Sequence, residues 1–76
     1  MERYRIIATS RFERSFRKLD KETKIRIDER LRVLETDPYA GKQLHGELRG
    51  KYSLRIGDYR VIYTVNQQEK TIVISS

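Results

Sequence analysis

Two arginines in the stretch LRIGDYR (54–60), Arg55 and Arg60, can grip a phosphate. A guanidinium group presents paired N–H donors that match phosphate oxygens, and it stays charged at any physiological pH. Between them, Gly57-Asp58 has the composition of a two-residue hairpin turn with glycine first, as a type II′ turn requires. A turn that tight dictates the pairing: Ile56 faces Tyr59, Arg55 faces Arg60, and Leu54 faces Val61. Like charges directly opposite one another in a ladder are unfavourable, by ~0.2–1 kcal/mol on cross-strand pair scales. A solvated sheet face is the ordinary setting for such side chains. Here the acidic groups nearby in sequence are few, Asp58 and Glu47, and the cost of opposing two cations points to an anionic ligand.

Strand alternation sorts the remaining residues of the hairpin. Tyr52, Leu54, Ile56, Tyr59, Val61 and Tyr63 share an apolar face that must pack against something. Lys51, Ser53, Arg55, Arg60, Ile62 and Thr64 share the other. Just upstream, Lys42, His45 and Arg49 add positive charge in a glycine-containing loop able to bring backbone close to a ligand. Cleavage of RNA by its own 2′-hydroxyl needs a base, an acid for the 5′-oxygen and cations to stabilise the added charge on phosphorus. Arg55 and Arg60 supply the cations. Lys51 serves as the base if crowding by like charges lowers its pKa. The acid is left to His45 or a tyrosine.

The elements that must position these groups follow from periodicity. YRIIAT (4–9) reads as a strand, bounded by polar residues and rich in β-branched ones. Ser10-Arg11-Phe12-Glu13 fits a capping box with Ser10 as N-cap. Phe12, Phe16 and Leu19 then repeat at helical spacing, as do Ile27, Leu31 and Leu34 in a second helix capped by Asp20 and flanked by Ile25 and Val33. Pro38 stops that helix near Thr36. Residues 38–51 read as a loop, followed by strands at about 51–56, 59–65 and 71–75. The order β-α-α-β-β-β predicts an α+β fold, an antiparallel-rich sheet packed on a helical hairpin, with residues 1–76 as one domain.

The chain has 76 residues and a net charge of +6, with hydrophobic and charged fractions both 37%. That balance implies a thin core and anionic partners. No apolar run exceeds three residues, which excludes a membrane-spanning segment, and the first residues lack the apolar stretch of a signal peptide. With no cysteine and a single histidine, neither a disulfide framework nor a zinc site is expected. The expected location is the cytoplasm.

A strand, a helical hairpin, then LRGKYSLRIGDYRVIYTVN, a turn and TIVIS resembles the RelE/ParE superfamily of toxin–antitoxin toxins over about residues 4–75. The pattern around Leu54–Tyr63 is its most distinctive part. The resemblance implies a RelE-like fold and metal-independent, ribosome-dependent cleavage of messenger RNA in the A site, with no cofactor and no membrane partner. It also implies a cognate acidic antitoxin. By the same resemblance Arg60 is the arginine that holds the scissile phosphate, Arg55 a second basic position, and Lys51 a lysine near the strand's start. Ser53 stands where some members carry another lysine. Such toxins continue past the last strand with a basic segment, whereas this sequence ends at ISS, so binding with weak cleavage is expected. Two alternatives accompany this reading: a ParE-like inhibitor of DNA gyrase, and a non-catalytic form that binds antitoxin or RNA.

Overall fold

In the computed structural model, which describes residues 3–76, Thr9 rather than Ser10 begins the first helix. The Thr9 hydroxyl accepts the Phe12 N–H at 3.3 Å and donates to the Ile74 carbonyl at 2.9 Å. Ser10 is already helical. Thr9 holds the cap because its extended backbone leads directly out of the first strand and its hydroxyl serves two partners at once. The first two residues of the expected domain lie outside the described ones.

The elements are β1 (Arg5–Ala8), α1 (Ser10–Arg17), α2 (Lys21–Thr36), β2 (Lys42–Gln43), a short 3-10 turn (Gly46–Leu48), β3 (Tyr52–Ile56), β4 (Tyr59–Asn66) and β5 (Thr71–Ile74). Asp20 caps α2 by accepting the Thr23 N–H at 3.2 Å, and hydrogen bonding from Thr23, its side chain first and this N–H second, holds the carboxyl below the ordinary value. Pro38 follows the end of α2 and sits second in a turn closed by the Ala40 N–H on the Asp37 carbonyl. The five strands form one sheet in the order β1-β5-β4-β3-β2, with β1 and β5 parallel and every other pair antiparallel. The α+β architecture is as expected, with one strand more. Within the predicted loop, Lys42 pairs with Ser53 and Gln43 with Tyr52. Two polar residues carry no alternation, so β2 is invisible to periodicity; it exists because β3 offers it an open edge.

The helices cover one face of the sheet. Phe12, Ile27, Leu31 and Leu34 meet Leu54, Ile56, Val61, Tyr63, Ile72 and Ile74 in a core whose members are all buried. Tyr59 lies on the same strand face but is 44% exposed, since it closes the hairpin beyond the helices' reach. Ile25 and Val33 flank the helical stripe and face outward. Among the described residues no helix is long and apolar enough to cross a membrane.

The two caps differ in what each substitution removes. Thr9→Ala should cost about 1 kcal/mol of stability, the usual cost of losing an N-cap. Ser10→Ala should stay within about 0.5 kcal/mol of the parent, as exposed positions without special contacts do. Urea unfolding of both variants checks this, and a larger loss at Ser10 would contradict the assignment.

Candidate phosphate-binding face

The β3–β4 hairpin turns on Gly57, whose φ of +61° is the left-handed value that a type II′ turn demands at its first position. The pairing is Ile56 with Tyr59, Arg55 with Arg60, Leu54 with Val61, Ser53 with Ile62, and Tyr52 with Tyr63. The apolar row therefore goes under the helices, and the two arginines stand opposite each other on the open face. Both are exposed. Arg55 Nε donates to the Gly57 carbonyl at 3.2 Å, which folds its guanidinium toward the turn.

A cavity of about 280 Å³ opens on this face, lined by Lys42, Leu44, Ser53, Arg55 and Arg60. It falls just below the usual ligand range of roughly 300–1,000 Å³, a size suited to a phosphate and its attached sugar and little else. Two larger hollows lie along α2. One is bordered by Lys24 and Arg32 but also by Asp28 and Glu29, the other by Arg3 and Arg32 with Asp28 and Glu35, so positive charge is balanced in both. Among the described residues, no carboxylate lines the cavity on the sheet. Among the described residues both ion pairs are internal to α2, Glu22 with Arg26 at 3.8 Å and Asp28 with Arg32 at 3.2 Å. None of the described acids pairs with Lys42, Arg55 or Arg60. The same residues hold no cluster of His, Cys, Asp or Glu suited to a metal ion.

The structure divides the candidates. Arg55, Arg60, Ser53 and Lys42 come together in the cavity wall. Lys51 lies two residues before Ser53, half-buried, its carbonyl accepting the Leu44 N–H at 2.9 Å, and it does not line the cavity. His45 and Arg49 flank the 3-10 turn, both exposed, and stand apart from it. Sequence reasoning missed Leu44, the apolar element of the wall. Its signal was the spacing Lys42-x-Leu44, meaningful only once β2 is known to be a strand. It also placed Tyr63 in the core and overlooked its hydroxyl, which donates to the Pro38 carbonyl at 2.9 Å and accepts the Gly41 N–H at 3.0 Å. Burial pushes the Tyr63 phenol above its ordinary pKa, opposed in part by the Gly41 hydrogen bond.

Residues 6–76 match the family model of the ParE toxin of the type II toxin–antitoxin system parDE. The chain belongs to the ParE toxin family, within the RelE/ParE superfamily. No curated protein matches it significantly. Among solved structures it is similar to the toxin of the RelBE2 toxin–antitoxin complex from Mycobacterium tuberculosis, at 31% identity and a TM-score of 0.88 over 95% of this chain and 91% of that one. It is likewise similar to the archaeal RelE–RelB complex from Pyrococcus horikoshii, at 32% identity and a TM-score of 0.82 over 96% and 90%. A third likeness is to the YoeB–YefM complex from Staphylococcus aureus, at 28% identity and a TM-score of 0.76 over 97% and 93%. In this ParE-family chain the sheet, the two helices and the basic hairpin all follow the RelE-like fold.

Opposed cations without acids make a definite demand on stability. Arg60→Gln keeps much of the side chain's length and removes the repulsion, so the variant should be as stable as the parent or more stable by ~0.2–1 kcal/mol. Added salt should close the gap, because screening weakens the repulsion in the parent. Urea midpoints at low and high ionic strength test this, and a loss of stability in the variant would contradict it.

Proposed function

We propose that this chain is a ribosome-dependent messenger RNA endoribonuclease of the RelE type. The observation that carries the reading is the cavity in which Arg55 and Arg60 stand opposed and to which none of the described acids contributes. The 2′-oxygen attacks phosphorus and the bond from phosphorus to the 5′-oxygen breaks, leaving a 2′,3′-cyclic phosphate and a 5′-hydroxyl. One proton leaves the 2′-hydroxyl and one reaches the 5′-oxygen. Arg60 and Arg55 hold the phosphate and stabilise the charge that develops on it. Messenger RNA enters with a polyanionic scaffold, the ribosome, and a chain of net charge +6 is attracted to both.

The relatives in complex carry RelB or YefM beside the toxin. For this chain the matching partner is an acidic antitoxin that covers the basic face and supplies apolar contact to a domain with a thin core. Inhibition of DNA gyrase is the second reading, favoured by the match to the parDE toxin family.

Translating ribosomes with a defined message separate the two. The purified chain should cleave the message in the A site and leave free RNA largely intact, and Arg60→Gln should lower the cleavage rate by about 10²–10³, the usual loss when one charge-stabilising donor is removed. No cleavage on ribosomes, together with gyrase-dependent DNA breaks, would overturn the ribonuclease reading in favour of the second.

A further inference from the structure

The cavity is closed from two sides. Strands β3 and β4 supply Ser53, Arg55 and Arg60; strand β2 and the residue after it supply Lys42 and Leu44. Without β2 the arginines would lie on a bare sheet. Yet β2 has two residues and pairs on one side only, with Ser53 and Tyr52. So short an edge strand does not hold itself in place.

Just past β2 the Leu44 N–H bonds to the Lys51 carbonyl; the anchor on the strand's N-terminal side is Tyr63. This side chain is 0% exposed, and its hydroxyl bonds to both ends of the segment that delivers β2, the Pro38 carbonyl and the Gly41 N–H. The Tyr52 ring stacks on Tyr63 with centroids 5.5 Å apart, and Tyr39 meets Tyr52 edge-on at 5.4 Å, so three rings fix the direction of that hydroxyl. The packing leaves no room at Gly41. A Cβ there would lie 2.7 Å from Tyr63 Oη and 2.8 Å from the Ser53 carbonyl oxygen. Glycine is therefore needed at position 41 for close approach, whereas at Gly57 it is needed for a positive φ. The next residue along is Lys42.

We propose that Lys42 is the third cation holding the phosphate, and that the Tyr63 hydroxyl is the positioning group that places it, acting through Gly41. Lys42 and the two arginines meet the anion from different strands, and Leu44 beside them gives the attached sugar an apolar surface. This rests on the phosphate-binding reading above and adds to it which strand completes the site and what holds that strand. Tyr63 touches no substrate; its effect passes through the peptide of Gly41.

Binding of a short single-stranded RNA, followed by fluorescence anisotropy across a salt series, tests both parts. For each cationic contact to phosphate that a variant loses, the slope of log affinity against log salt should fall, by up to roughly 0.7. Arg60→Gln and Lys42→Ala should each show that reduction, Lys42→Arg should restore the slope, and Lys21→Ala on α2 should leave it as in the parent. Tyr63→Phe keeps the stacked rings and removes both hydrogen bonds. It should reproduce the reduced slope, and combined with Lys42→Ala it should weaken binding no further than Lys42→Ala alone, as coupled groups do. Gly41→Ala should behave like Tyr63→Phe, which keeps the test open if either variant folds poorly. If neither Arg60→Gln nor Lys42→Ala changes the slope, the phosphate reading itself fails. If Arg60→Gln changes it and Lys42→Ala does not, or Lys21→Ala changes it equally, the assignment of Lys42 is overturned and the reading of the arginines stands. A Lys42 effect without any effect of Tyr63→Phe or Gly41→Ala refutes the positioning role.

Discussion

Because side chains alternate along a strand, the register between β3 and β4 decides which residues the helices cover and which face outward. A slip of one residue would bring Arg55 and Arg60 into the core and send Leu54, Ile56, Val61 and Tyr63 to the surface. Gly57 excludes that slip by taking the backbone conformation that a two-residue turn needs. The apolar row beneath the helices and the basic row on the open face are thus two outcomes of one constraint. Packing enforces the first, so the second comes without any interaction of its own to favour it.

The acids of the chain are distributed in keeping with that. Two carboxylates pair with arginines four residues away on α2, at exposed positions where such pairs are worth a few tenths of a kcal/mol. None of the described acids is placed across from the arginines of the sheet, where pairing would have blocked the cavity. Stability comes from the shared apolar layer, in which α2 contributes Ile27, Leu31 and Leu34, and it has to cover the cost of leaving the open face unpaired.

Much of this was legible in the sequence because it depends on short-range rules. Helical spacing identified α1 and α2, Asp20 and Pro38 marked the bounds of α2, and the Gly57-Asp58 turn fixed the facing residues across the hairpin. The features that sequence did not show depend on long-range contacts. Thr9 displaces Ser10 as the cap partly because its hydroxyl finds the carbonyl of Ile74, which is remote in the chain. Strand β2 has no pattern of its own and appears only because β3 has a free edge. The grouping of Lys42 with the arginines, and the exclusion of Lys51, His45 and Arg49, follow from that strand. Tyr63 was recognisable as a core residue, but the use of its hydroxyl was not, since its partners at Pro38 and Gly41 lie across the loop.

The parallel pairing of β1 with β5 joins Arg5 to Thr71 and Ala8 to Ile74, and with it the two extremes of the described chain. Of the strands described, the first to be made finds its neighbour in the last, so it must wait unpaired while both helices and three further strands are made. Pairing between such distant segments raises contact order and slows folding relative to chains built from local pairs. The basic hairpin has the opposite character, since its strands are adjacent in sequence and joined by two residues. Assembly of the cationic surface is therefore a local event and closure of the sheet a global one. A nascent chain can display its positive charge before it has a complete core.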